Sequence, residues 1–205
     1  YRSIKNGYQH LYLYDLKGNE INQITSGDWN VTKFAGFDEL TKTVYYVSTE
    51  SSPLQRDVYA INIDGTNKRK ISTETGTNNI TFSEGFKYYM LTNSNVNKPY
   101  KITLHNQKGK LIRVLEDNAA LIQKTKEYGF ANTEFFTFKT SEDVELNGWM
   151  LKPANFDASK KYPVFMYVYG GPGSRTVSDN WGRRDSWYQL LAQKGYIVVS
   201  VDGRG

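Results

Sequence analysis

The sequence predicts a mixed fold in two parts: the last blades of an all-β propeller, followed by the first part of a doubly wound α/β sheet. Two observations support this prediction. Residues 1–130 repeat a four-strand pattern roughly every 40–45 residues, which is the spacing of propeller blades. Residues 131–205 contain two apolar strands with a helical segment between them, as in a strand–helix–strand unit. We therefore predict two domains, 1–130 and 131–205.

A hairpin with a glycine turn occurs three times in the first part. Each copy is an alternating strand, a polar turn that contains glycine, and a second strand, and two further strands separate one copy from the next. A generic β-sandwich also explains short strands, but it does not explain a repeat of this length. The first strands of the three copies are Leu11–Leu16, Val58–Ile63 and Pro99–Leu104. About three blades fit into this stretch, whereas closed propellers have at least about four.

The second part contains the pattern of a parallel sheet. The runs Pro163–Tyr169 and Tyr196–Val201 are rich in aromatic and β-branched residues, so we expect both to be buried strands. The helical pattern Trp187–Lys194 lies between them and ends at Gly195, a favourable residue after a helix. We expect the last strand, around Val198–Val201, to form an open edge of the sheet.

The composition argues against several classes of partner and cofactor. The formal charge is +5, but Lys and Arg are spread along the chain, and the densest run, Lys68–Lys70, is typical of a solvated loop. There is no cysteine, and no group of His, Asp and Glu has the spacing of metal ligands. No apolar run approaches the roughly 18 residues that span a bilayer. We predict no cofactor, no nucleic-acid partner and no membrane span in this chain.

A tyrosine followed by a glycine-rich loop is the candidate for chemistry. Tyr169 comes at the end of the first apolar strand and precedes Gly170–Gly173. Glycines let a backbone approach a substrate closely, and a tyrosine hydroxyl, with an ordinary pKa of about 10, can donate to a developing oxyanion at neutral pH. On spacing alone, a tight loop whose tyrosine simply packs is an equally good interpretation.

The chain contains no complete catalytic triad. No Gly-x-Ser-x-Gly occurs, and the two histidines, His10 and His105, both lie in the repeat, where a structural strand histidine is the favoured interpretation. Residues 131–205 have no histidine, so a Ser-His-Asp triad cannot be assembled there. Ser174 follows the glycine loop but has neither a nucleophile elbow nor a base, and we reject it as a nucleophile.

Four motifs in one order resemble the dipeptidyl peptidase IV group of the prolyl oligopeptidase family of serine peptidases. The likeness covers most of the chain and starts near Asn6. Tyr-x-Gly-Pro alone would be moderate evidence, whereas the four motifs at compatible spacing are strong evidence. The motifs are Arg113–Asn118, Lys160–Pro163, Val168–Pro172 and Asp202–Gly205.

The resemblance implies an eight-bladed propeller that caps an α/β-hydrolase domain, in an enzyme that removes N-terminal dipeptides, preferably after proline or alanine. Tyr169 matches the family's oxyanion tyrosine. The catalytic serine, aspartate and histidine would lie after Gly205 and the paired glutamates that bind the substrate amine before Tyr1, so this fragment alone would be inactive. The expected partners are peptides with Pro or Ala in second position.

The resemblance also carries expectations about assembly and location. Family members are often homodimers and are usually exported or membrane-anchored, which implies a periplasmic or cell-surface protein. Two other functions stay open. One is an oligopeptidase or acylaminoacyl-type peptidase of the same family, which would lack the paired glutamates upstream. The other is a non-catalytic propeller-hydrolase interaction protein, which would have a replaced serine in the later Gly-Trp-Ser-x-Gly-Gly motif.

Overall fold

The computed structural model describes residues 1–171, 173–182 and 185–203. It contains two compact units, one formed by Tyr1–Asn95 with Tyr100–Asp117 and the other by Val96–Pro99 with Asn118–Gly205. Helix α1, Ala119–Glu127, belongs to the second unit. The sequence predicts a domain boundary after α1, between residues 130 and 131. The compact units of the structure divide before α1, between Asp117 and Asn118.

The first unit consists of three antiparallel sheets, each formed by strands that follow one another along the chain. The first sheet contains β1 (Arg2–Ser3), β2 (His10–Tyr14) and β3 (Glu20–Gln23). The second contains β4 (Val31–Asp38), β5 (Thr43–Ser48), β6 (Asp57–Asn62) and β7 (Arg69–Lys70). The third contains β8 (Thr77–Phe82), β9 (Tyr88–Asn95), β10 (Lys98–Asn106) and β11 (Leu111–Glu116). These blade-like sheets confirm the propeller-type part of the fold prediction.

The first two copies of the repeat have the same register. Tyr12 of β2 lies opposite Gln23 of β3, and Tyr59 of β6 lies opposite Lys70 of β7. Both tyrosines are buried. In the third copy, Tyr100 of β10 is exposed. The sequence period thus identifies equivalent positions, but burial depends on what covers each sheet.

A buried hydroxyl makes the same hydrogen bond in the first two copies. Thr25 Oγ1 accepts the backbone N–H of Leu11 at 3.0 Å, and Ser72 Oγ accepts that of Val58 at 3.1 Å. The hydroxyl occupies the position where the short outer strand has ended, so it replaces a backbone acceptor. The repeat is therefore visible in individual hydrogen bonds as well as in strand order.

The second sheet is the best buried of the three, since apolar side chains pack on both of its faces. Every residue of β5 is buried, as are the first five residues of β6. One cluster contains Leu11, Ile24, Val31, Val44, Tyr46, Tyr59 and Ile61. The other contains Val47, Val58, Ile80 and Tyr89. This burial of apolar area is the main source of stability in the first unit.

The second unit contains a mixed four-stranded sheet in the order β12-β13-β15-β14. Its elements are β12 (Thr133–Lys139), β13 (Glu145–Leu151), β14 (Val164–Tyr167), α2 (Asp185–Gln193) and β15 (Ile197–Val201). Strands β14 and β15 are parallel, while β12, β13 and β15 pair antiparallel. The strand–helix–strand unit predicted from the sequence is confirmed, with Gly195 in the left-handed region after α2 (φ +87°).

Two expectations about this sheet are wrong. Strand β14 is not buried: Val164 is 58% exposed and Met166 is 56% exposed. Strand β15 is not an edge, because it lies between β13 and β14, and Val198 and Ser200 are fully buried. An apolar run shows that a strand is suited to a covered sheet, but it does not show whether other segments cover it or pair with it.

Candidate active-site loop

The carboxyl ends of β14 and β15 lie at the same edge of the second sheet. The two strands are parallel, and Tyr167 lies opposite Ser200. The residues that follow, Tyr169 and Asp202, therefore leave the sheet on the same side. In open α/β sheets this edge is the usual place for a ligand site.

Tyr169 lies on the surface, two residues after β14. Its side chain is 57% exposed, and its ring lies against Gly171, where a Cβ atom would be 2.7 Å from Cε1 and 3.3 Å from the hydroxyl oxygen. A larger residue at position 171 would therefore have to displace the Tyr169 ring. Gly170 and Gly173 have φ values of +69° and +73°, which other residues rarely adopt. Pro172 lies outside the described residues.

Asp202, directly after β15, binds the far end of this loop. Its carboxylate accepts the backbone N–H of Thr176 at 2.6 Å and that of Val177 at 3.0 Å. It also accepts the Thr176 hydroxyl at 2.8 Å. The side chain of Arg175 interacts electrostatically with this carboxylate. Asp202 thus fixes a segment of backbone that belongs to no strand.

Ser200 connects the two ends of the loop. Its hydroxyl donates to the carbonyl oxygen of Tyr167 at 2.6 Å and lies 2.8 Å from the hydroxyl of Thr176. We call Thr176, Ser200 and Asp202 the loop clasp, because together they join residue 167, where the loop begins, to residues 176 and 177, where it returns. In the sequence, Asp202 is visible only as part of the Asp202–Gly205 motif, and this role is not predicted from it.

Aromatic side chains support the clasp from inside the second unit. Trp149 of β13 donates its indole N–H to the carbonyl oxygen of Thr176 at 3.1 Å. Tyr188 of α2 contacts the rings of both Trp149 and Tyr167, with centroids 5.2 Å and 6.2 Å apart. A cavity of about 430 Å³ lies beside these residues, with Trp149, Tyr167, Thr176 and Tyr188 among those lining it. The loop is therefore held by the central sheet and by α2.

The other residues considered from the sequence lie elsewhere. His10 is buried in the first unit, with Nδ1 3.1 Å from Thr25 Oγ1 and Nε2 2.9 Å from the carbonyl oxygen of Gly27. His105, in the same unit, stacks on Tyr89 with centroids 5.0 Å apart. Ser174 is exposed in the loop itself. Both histidines thus have structural contacts within the propeller-type sheets.

The described residues contain neither a candidate metal site nor a helix suited to span a membrane. Residues 1–171, 173–182 and 185–203 contain no group of three or more His, Asp or Glu side chains that could hold a metal ion. Within the same part of the chain, none of the helices has the length and apolar character needed to cross a membrane.

Comparison with known proteins matches both units to one family. Residues 1–100 match the family model of the dipeptidyl peptidase IV N-terminal region. The "Probable dipeptidyl-aminopeptidase B" of Botryotinia fuckeliana is 35% identical over 98% of this chain and 22% of its own length. The "Dipeptidyl peptidase 4" of Arthroderma otae is 33% identical over 97% of this chain and 26% of its own length.

Two solved structures extend the likeness to the whole chain. The dipeptidyl peptidase 4 of Porphyromonas gingivalis superposes with a TM-score of 0.93 at 45% identity, covering 100% of this chain and 29% of that one. A putative dipeptidyl aminopeptidase IV from Bacteroides ovatus gives a TM-score of 0.84 at 28% identity, covering 100% of this chain and 32% of that one.

Both the propeller-type sheets and the mixed sheet of this chain thus lie within the region that is similar to named dipeptidyl peptidases. The chain belongs to the dipeptidyl peptidase IV family, as its sequence motifs predicted. It spans about a quarter of the length of the curated relatives it matches, between 22% and 26%.

Proposed function

We propose that the intact protein is a serine-type peptidase that releases N-terminal dipeptides with proline or alanine in second position, and that Tyr169 donates a hydrogen bond to the oxyanion. The observation that carries this proposal is the exposed Tyr169 side chain beside the carboxyl ends of a parallel strand pair. The named activities of the relatives support the reaction class, and the preference for proline or alanine comes from the family resemblance.

The proposed chemistry gives Tyr169 one role. A serine hydroxyl attacks the carbonyl carbon after the second residue, and a histidine accepts its proton. The carbonyl oxygen becomes negatively charged and accepts a hydrogen bond from the Tyr169 hydroxyl, which keeps its own proton. The C–N bond then breaks as the histidine returns the proton to the leaving amine. Water hydrolyses the acyl-enzyme in the same way.

Residues 1–205 by themselves should be inactive under this proposal. They contain no nucleophile elbow, and both histidines lie in the first unit with the contacts described above. Losing the nucleophile of a comparable serine protease costs about 10⁶ in rate. A glycyl-prolyl chromogenic substrate should therefore give turnover with the intact protein and none with 1–205, and serine-dependent turnover by 1–205 would overturn the assignment.

Substitution of the tyrosine tests its role directly. Tyr169→Phe in the intact protein should lower kcat by about 10²–10³, the usual effect of removing one oxyanion donor, with KM little changed. Tyr128→Phe is the matched control, because Tyr128 is also exposed (68%) and lies in the same unit but remote from β14 in the chain. A kcat for Tyr169→Phe equal to that of the control would remove Tyr169 from the mechanism.

Cleavage products separate the proposal from its alternatives. A dipeptidyl peptidase should release one dipeptide at a time from the N-terminus of a Xaa-Pro peptide, and an acetylated N-terminus should abolish cleavage. Cleavage of the acetylated peptide would instead favour an oligopeptidase or acylaminoacyl-type enzyme. The homodimer and the periplasmic or cell-surface location stay predictions from the family resemblance.

A further inference from the structure

We infer that Asp202 is a positioning residue that fixes the Tyr169 loop through the loop clasp and thereby sets the Tyr169 hydroxyl for catalysis. This inference rests on the proposed function of Tyr169. It concerns a residue that touches neither substrate nor reacting atoms in that proposal, and whose effect passes through the backbone between residues 167 and 177.

The carboxylate of Asp202 forms hydrogen bonds mainly with backbone groups. Both carboxylate oxygens accept backbone N–H groups, one from Thr176 and one from Val177. The N–H of Asp202 itself donates to the carbonyl oxygen of Asn147 in β13 at 3.1 Å, which fixes Asp202 to the central sheet. Since the two donors are adjacent in the chain, the carboxylate determines both the position and the direction of the returning segment.

The other end of the loop is tied to the same group. Ser200 donates to the carbonyl oxygen of Tyr167, two residues before Tyr169, and its oxygen lies 2.8 Å from that of Thr176. The Thr176 hydroxyl has two acceptors within reach, the Asp202 carboxylate and Ser200 Oγ, and the Ser200 hydroxyl donates to Tyr167. The start and the return of the loop are therefore connected through two side chains.

The loop needs such a connection because of its composition. Gly170 and Gly173 adopt left-handed conformations, and glycine allows the unbound chain many alternatives. Tyr169 lies between the fixed residue 167 and the first of these glycines, with its ring against Gly171. A displacement of about 1 Å in a positioned group can cost 10²-fold in rate, so fixing both ends has a direct effect on an oxyanion donor.

The test is Asp202→Asn in the intact protein. Asparagine keeps the shape of the side chain but puts an NH₂ group against one of the two backbone donors, so one hydrogen bond becomes a repulsion. We expect kcat for the glycyl-prolyl substrate to fall about 10–100-fold with KM within about twofold. We also expect the double variant Tyr169→Phe/Asp202→Asn to be no slower than Tyr169→Phe alone, because the second change has no hydroxyl left to misplace.

Asp157→Asn is the matched control. Asp157 lies in the same unit and accepts the backbone N–H of Ser159 at 3.0 Å and its hydroxyl at 2.7 Å. Asp157→Asn therefore weakens hydrogen bonds comparable to those of Asp202, in a turn that is remote from Tyr169 in the chain. Its kcat should equal that of the unmodified protein. Amide hydrogen exchange at Thr176 and Val177 should accelerate at least tenfold in Asp202→Asn and stay unchanged in Asp157→Asn.

The outcomes separate the inference from the proposed function. A normal kcat for Tyr169→Phe overturns the proposed function. Two results overturn the inference alone and make Asp202 merely structural. In the first, kcat is low for Tyr169→Phe but normal for Asp202→Asn. In the second, both single variants have a low kcat and their losses multiply in the double variant. If Asp202→Asn does not fold, Thr176→Val replaces it, because this change removes only the hydroxyl that contacts both Asp202 and Ser200. Thr176→Val should lower kcat three- to tenfold. A kcat equal to that of Ser159→Ala would count against the clasp.

Discussion

Each unit contains an aspartate whose carboxylate has several hydrogen-bonded or charged partners, but the partners differ in kind. Asp57 of the first unit is buried, and its partners are the side chains of Ser72, Asn78 and Lys70, at 2.8, 3.3 and 2.8 Å. Asp202 of the second unit is partly exposed, and two of its three donors are backbone N–H groups.

This difference indicates what each carboxylate does. The strands around Asp57 already have backbone partners. Oδ1 of Asp57 accepts hydrogen bonds from buried Ser72 and Asn78, while Oδ2 lies against the Lys70 ammonium, so these contacts join segments that are formed without them. The segment bound by Asp202 has no strand partner, so the carboxylate decides its conformation. We expect substitutions at Asp57 to change stability and substitutions at Asp202 to change turnover.

The largest effect should be that of Asp57→Ala on stability. It leaves the buried Ser72 hydroxyl without its acceptor and Lys70 without its counter-ion, whereas Asn78 keeps the carbonyl oxygens of Arg56 and Glu74 as acceptors. The variant should lose about 3 kcal/mol of unfolding free energy. Urea unfolding of the intact protein measures the loss, and kcat of the folded variant should stay within about twofold. Asp64→Ala, which removes an exposed turn aspartate bonded to Thr66, is the control and should change the unfolding free energy much less. A kcat loss specific to Asp57→Ala would break the comparison.

Gly171→Ala should have the next largest effect. It should lower kcat and leave the stability of the fold unchanged. The added Cβ would lie 2.7 Å from the Tyr169 ring, so the ring must move, while the backbone at 171 is not in the left-handed region. We expect kcat to fall about 10–100-fold, equivalent to about 1.4–2.7 kcal/mol of transition-state stabilisation. Gly203→Ala is the matched control, because a Cβ there would meet nothing within 4 Å. Equal kcat values would show that the ring can move without loss.

The equivalent hydroxyls of the first unit should give a smaller and unequal pair of effects. Ser72→Ala removes a donor to Asp57 and an acceptor of Val58 N–H, and should cost about 1–2 kcal/mol of stability. Thr25→Val removes the same acceptor for Leu11 and a partner of buried His10 Nδ1, but no contact with a carboxylate, and should cost about 1 kcal/mol. Urea unfolding measures both losses. An equal loss would mean that the carboxylate contact of Ser72 stabilises the fold no more than the imidazole contact of Thr25.

The smallest effect should come from Lys70→Met. The ammonium of Lys70 is 2.8 Å from Asp57, but its side chain is 42% exposed, so water and salt screen the pair. We expect a loss of about 1 kcal/mol or less that shrinks when the salt concentration is raised. Lys139→Met, which removes the more exposed i,i+4 pair with Asp143, should cost about 0.5 kcal/mol or less and serves as the reference.

The sequence was sufficient to predict features that repeat or that follow from local pattern. The period placed Tyr12 and Tyr59 in the same register, and the strand-then-glycine pattern placed Tyr169 just beyond a strand. Helix α1 was missed although Asn118, directly before it, is a residue type favoured at helix N-caps, because the strand repeat was extended to residue 130.

The features that the sequence did not predict depend on groups far apart in the chain. The hydrogen bonds of Asp202 reach back 25 and 26 residues, and that of Ser200 to Tyr167 reaches back 33. No local period or motif encodes such distances. The exposure of β14 was missed for a related reason, since the apolar content of a strand says nothing about its neighbours.

The exposed strand β14 has a practical consequence for anyone who purifies these 205 residues. Val164 and Met166 present apolar side chains on a strand that, in the described part of the chain, pairs on one side only, with β15. Such edges recruit strands from other molecules, so concentrated samples should precipitate or form soluble oligomers. A single lysine in place of Val164 would be the first change to try in order to keep the material monodisperse.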